Sequence, residues 1–82
     1  MFKNKSIDGK NNICGNKIAK LRMQHVPKMS QRALADKLQL FGLDVDKNAI
    51  SKMECGDRFI TDIELVAIAN VFGVSITELF NK

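Results

Sequence analysis

Asp46-Lys47-Asn48-Ala49-Ile50-Ser51-Lys52-Met53-Glu54-Cys55-Gly56 reads as one complete short helix with its own start and stop signals. Asp46 can accept the free N–H groups of the first turn, and Gly56 can end the helix in the left-handed conformation. At about 100° per residue, Ala49, Ile50 and Met53 cluster near ~250°, an apolar stripe. Lys47, Asn48, Ser51, Lys52 and Cys55 cluster near ~70°, almost diametrically opposite. One helix therefore faces a core with one side and presents two cations, an amide and a hydroxyl on the other. Such groups hydrogen-bond base edges and phosphates in a major groove. On this helix alone, a merely solvated outer face is the competing reading.

Outward from this helix the chain reads as all-α. Ser30 is an N-cap for a preceding helix with Leu34, Ala35, Leu38 and Phe41 inward. Before it, Cys14, Ile18, Leu21 and His25 fall on one face of a helix starting near Ile13, which Pro27 ends by removing a donor. On the C-terminal side, Thr61-Asp62-Ile63-Glu64 is a capping box that opens a helix with Leu65, Ile68, Ala69 and Phe72 inward, closed by Gly73. Ser75-Ile76-Thr77-Glu78 reads as a second capping box and a fifth short helix carrying Leu79 and Phe80. Five short helices are expected over residues 12–82, preceded by a flexible basic arm over residues 1–11.

The chain has 82 residues, 45% of them hydrophobic and 27% charged, which suits one small folded domain. No apolar run approaches the ~20 residues needed to cross a bilayer. The basic N-terminus lacks the apolar region of a secretory signal, so a cytoplasmic location is expected. Charge is unevenly placed: residues 1–32 carry eight basic residues against Asp8, whereas residues 33–82 carry five basic and eight acidic ones. A basic half of this kind suits a polyanion. Cys14 and Cys55 have no metal-ligand spacing, and the lone His25 completes no site with them, so they read as reduced thiols with no metal. There is no paired-carboxylate, Cys/His or Gly-rich phosphate-loop arrangement, and the expectation is of no enzyme and no cofactor.

Four fragments occur in a telling order: Ser30-Gln31-Arg32-Ala33-Leu34-Ala35, Ala49 through Arg58, Glu64-Leu65-Val66-Ala67-Ile68-Ala69, and Val74 through Phe80. Together they resemble the Cro/C1-type (XRE-like) helix-turn-helix family of phage Cro and repressor proteins, over about residues 13–80. The resemblance implies a lambda-repressor-like DNA-binding domain and a transcriptional regulator, most simply a repressor acting as a homodimer on double-stranded DNA. Carried over position by position, it makes Lys47, Asn48, Ser51 and Lys52 the groove-reading residues. Gln31 falls where the family grips a phosphate or an outer base, and Arg58 and the Gly56 amide fall where it clamps the DNA backbone. Arg22 and Glu54 match a structural pair that braces the reading helix against the first.

One feature departs from the family pattern. The stretch Asp36 to Ala49 is longer than a tight turn of ~3–4 residues needs. Either the second helix extends to about Leu40, or Phe41-Gly42-Leu43-Asp44-Val45 forms a larger loop with Leu43 and Val45 inward and Asp44 outward. Asp44 and Asp46 would repel phosphate unless directed away. The basic arm is either a tail or a minor-groove contact. Val66, Val71 and Phe80 exceed a narrow inward stripe and are either core or a dimer contact. A second functional reading follows from this surplus and from the acidic second half: a protein-interaction module or antitoxin with a partner at the C-terminal helices.

Overall fold

The computed structural model describes residues 9–80. Four α-helices follow one another: α1 (Gly15–Gln24), α2 (Gln31–Gln39), α3 (Lys47–Cys55) and α4 (Asp62–Phe72). A 3₁₀ turn, Ile76–Phe80, closes the chain, and no strand occurs among the described residues. The all-α architecture agrees with the reading of the sequence. Ser30 Oγ accepts from the Ala33 N–H at 3.0 Å, and Asp46 Oδ1 from the Ala49 N–H at 2.8 Å. At α4 the capping box is complete: Thr61 Oγ1 accepts from the Glu64 N–H at 3.2 Å and Glu64 Oε1 from the Thr61 N–H at 2.9 Å. Each such cap stabilises a helix by about 1 kcal/mol, a large share for helices of two to three turns.

Every element contributes to a single core. Ile18 comes from α1, Leu34 and Leu38 from α2, Ile50 and Met53 from α3, Ile68 from α4 and Leu79 from the closing turn, all fully buried. Met29, in the α1–α2 connection, is buried with them. Burying side chains of this size contributes about 1.5–3 kcal/mol each, so the core rather than intrinsic propensity holds these short helices. α3 packs against both α1 and α2, while α4 supports α2 and the closing turn.

Several expectations are corrected. α1 begins at Gly15 rather than near Ile13, because Asn12 Oδ1 accepts from the N–H groups of Cys14 and Gly15 at 3.1 and 2.8 Å and sets the first turn there. The fifth element is a 3₁₀ turn, not a capped α-helix. Its Glu78 N–H donates to Ser75 O at 3.1 Å, the Ser75 and Thr77 hydroxyls share a hydrogen bond at 3.1 Å, and the Glu78 carboxylate meets Lys17 Nζ of α1 at 3.1 Å. Phe41 is 52% exposed rather than inward. Val71 packs against the core, leaving Val66 and Phe80 as the exposed members of their trio.

The long connection between α2 and α3 combines both alternatives. α2 runs to Gln39 with Leu40 as its cap, and a loop then turns at Gly42. Val45 is buried, Leu43 packs on the core and Asp44 is exposed. Gln39 Nε2 donates to Val45 O at 2.8 Å and closes the loop across its base.

At the N-terminus, residues 1–8 of the expected arm lie outside the described residues. Its inner end is not free: the Asn11 N–H donates to Gly56 O at 2.8 Å and its side-chain amide to Asp57 O at 2.9 Å. The physical reason is the row of carbonyls left by the end of α3, which polar side chains can satisfy without any apolar anchor.

Candidate nucleic-acid interface

α3 has two faces of opposite character. Ile50 and Met53 are 0% exposed, whereas Lys47, Asn48, Ser51 and Lys52 are all exposed on the reverse side. The helix can present these four side chains to solvent because Ile50 and Met53 are fully buried and Ala49 is partly buried against the core, which fixes its rotation about its own axis. Asp46 lies at the same end, but its carboxylate is occupied as the N-cap. It thus neutralises free N–H groups of α3, an arrangement favoured by the helix dipole.

The back of α3 is tied down by charge. Arg22 Nε meets Glu54 Oε2 at 2.7 Å, and Arg22 Nη2 meets Glu54 Oε1 at 3.0 Å. Both side chains are largely buried. A third Arg22 donor, Nη1, reaches Met29 O at 3.1 Å. The hydrogen bond to Glu54 raises the Arg22 guanidinium above its ordinary value and outweighs the lowering effect of burial. Gln31 Nε2 also donates to Glu54 Oε1, at 3.0 Å. Glu54 therefore gathers α1, the start of α2 and the last turn of α3 onto one carboxylate.

The remaining candidate residues lie at the ends of this frame. Gln31 is half-buried, with one amide hydrogen engaged by Glu54. Arg58 follows α3 and is ion-paired: its Nη1 meets Glu64 Oε2 at 2.9 Å. The same glutamate completes the α4 capping box through its other oxygen. The Gly56 amide differs from its expected place as an open backbone clamp. Gly56 has φ +88°, in the left-handed region, and its N–H donates to Met53 O at 3.2 Å to close α3. That donor is already used.

Two features of the frame escaped sequence reading. The Arg58–Glu64 pair spans the Thr61 cap, and a cation just ahead of a capping box was a usable signal for it. Asn12 Nδ2 donates to Met53 O in the last turn of α3 and to Arg58 O just beyond it, and no pattern or spacing signalled these contacts. Both thiols are free, Cys14 buried and Cys55 exposed at the end of α3. Among the described residues no group of three His, Cys, Asp or Glu side chains could hold a metal ion, and no helix is long and apolar enough to cross a membrane.

The helix-turn-helix family matches the chain over residues 18–79, from the middle of α1 to the closing turn. The chain belongs to this family, of the Cro/C1 type, whose members are DNA-binding transcriptional regulators. No curated protein and no solved structure gives a significant match.

Proposed function

We propose that the protein is a sequence-specific regulator of transcription, a repressor that reads the major groove of double-stranded DNA with α3. The observation carrying this reading is the exposed quartet Lys47, Asn48, Ser51 and Lys52 on a helix whose opposite side buries Ile50 and Met53 in the core. Asn48 suits an adenine edge, which needs one donor and one acceptor, and Lys47 or Lys52 suits the two acceptors of guanine. Ser51 serves either a base or a phosphate. Gln31, at the start of α2, holds a phosphate or an outer base with the amide atoms that Glu54 leaves open. Arg58 holds the backbone with the donors not engaged by Glu64.

The regulator acts as a homodimer on a pseudo-palindrome, with half-sites about 34–36 Å apart. Val66 and Phe80, exposed at 46% and 45%, supply an apolar contact for the second copy. The reading is tested by selecting duplexes from a random pool and measuring their affinity against an unselected duplex. Enrichment of a two-fold symmetric sequence, with affinity that falls as salt rises, is the expected result. Failure to bind either duplex at about 50 mM salt, where phosphate contacts are strong, would overturn it.

A further inference from the structure

Asn12 uses the whole hydrogen-bonding capacity of its side chain at the junction of two helix ends. Its Oδ1 accepts from the N–H groups of Cys14 and Gly15, at 3.1 and 2.8 Å, where α1 begins. Its Nδ2 donates to Met53 O in the last turn of α3 at 3.1 Å and to Arg58 O just beyond at 2.8 Å. An amide offers two donors and an oxygen with two lone pairs, so all four positions are taken. Free N–H groups at one helix start and free carbonyls at another helix end are complementary, and a single planar amide joins them. Asn12 itself is 41 and 46 residues from the two carbonyls it meets.

Gly15 makes the junction close. A Cβ at this position would overlap the carbonyl oxygens of Met53 and Glu54, so the start of α1 rests directly on the end of α3. Asn11 adds a second tie, to Gly56 and Asp57, and its own Oδ1 is buried with no partner. Glu54, held by Arg22, and the Asn12 junction thus fix the last turn of α3 from two sides.

We propose that Asn12 is a positioning residue for the reading helix: it sets the tilt of α3 against α1, and so the aim of Lys47 and Asn48 into the groove, without touching DNA itself. The proposal rests on α3 being the reading helix. Asn12→Asp separates its two roles. A carboxylate still accepts from the N–H groups at the start of α1, but it has no donors and repels the Met53 and Arg58 carbonyls.

The test compares wild type, Asn12→Asp and Asn12→Ala, first without DNA. Residual dipolar couplings of the backbone amides report the angle between α1 and α3, and circular dichroism reports the fold. Affinity is then measured for a duplex that wild type selects from a random pool and for an unselected duplex of equal length. Expected for Asn12→Asp is a folded domain with a changed α1–α3 angle. Its affinity for the selected duplex falls about tenfold, the loss of one good base contact, while unselected binding stays within about twofold.

An unchanged angle overturns the proposal, as does an equal loss on both duplexes. Unfolding of both variants also overturns it, because Asn12 would then hold up the whole domain rather than aim one helix. If wild type selects no duplex, the reading of α3 fails on its own. The angle in the free variants still decides whether Asn12 sets the tilt.

Discussion

Arg22 grips Glu54 with two donors, Nε at 2.7 Å and Nη2 at 3.0 Å, and joins α1 to α3 across thirty-two residues of chain. The pair is largely shielded from water, so it behaves differently from a surface ion pair, whose contribution is about 0–1 kcal/mol. Removing one partner leaves the other charge buried without its counter-ion.

Arg22→Ala is therefore expected to destabilise the domain by about 3 kcal/mol, because Glu54 keeps only the amide of Gln31. The double variant Arg22→Met, Glu54→Leu should recover most of that loss, since apolar replacement of a whole buried pair is often neutral. Urea unfolding of the single and double variants measures both. Strict additivity of the two losses would show that the residues are not coupled.

Glu64 has a double duty, as cap for α4 and partner of Arg58. Glu64→Ala should cost about 1–2 kcal/mol by removing an acceptor of the Thr61 N–H, whereas Glu64→Gln should cost less because its amide oxygen still accepts. Arg58→Ala should cost about 1–2 kcal/mol of stability: the guanidinium is partly in water, but the Glu64 carboxylate it leaves is buried and keeps only its capping-box contact. In DNA binding it should weaken all sequences alike and reduce the salt slope by about one. A change of preferred sequence would contradict the assignment of Arg58 to the backbone.

Lys47 and Asn48 should behave in the opposite way. Lys47→Ala or Asn48→Ala is expected to relax preference at one base position, with a cost of about 1–3 kcal/mol on the preferred duplex. Selection from a random pool with each variant reads this directly. Identical consensus sequences for wild type and variants would assign base reading elsewhere.

The two thiols differ in access. A thiol reagent should modify Cys55 rapidly and Cys14 only on unfolding, because Cys14 is 3% exposed. Burial also pushes the Cys14 thiol above its ordinary value of 9.0. The folded state then keeps a proton that the unfolded chain releases, so this contribution is complete below pH 9.0 and is lost as pH rises above it. Unfolding free energies between about pH 8 and 10.5 should fall less steeply for Cys14→Ala, by up to about 1.4 kcal/mol per pH unit. Parallel slopes would place the thiol in water.

Ser30, Asp46, Thr61 and Gly56 announced their helix ends in the sequence, because capping is a local contest between one side chain and the next turn. The two faces of α3 were legible for the same reason: periodicity survives in the order of residues. What stayed hidden depends on distant partners. Asn11 and Asn12 sit in a polar stretch with no periodicity, and only the position of the α3 carbonyls turns them into ties. Ser75 and Glu78 look like the cap of an α-helix locally, but the element is a 3₁₀ turn whose Glu78 carboxylate meets Lys17 on α1. Gln31 reads as an open contact until Glu54 is brought beside it.

The most direct test of the account is a residue-resolved NMR titration with a short random-sequence duplex at about 50 mM salt. The signals of Gln31, Lys47, Asn48, Ser51, Lys52 and Arg58 are expected to shift together, and the shifts to fade as salt rises. If those signals stay still while the protein remains folded, α3 is not a DNA-reading helix.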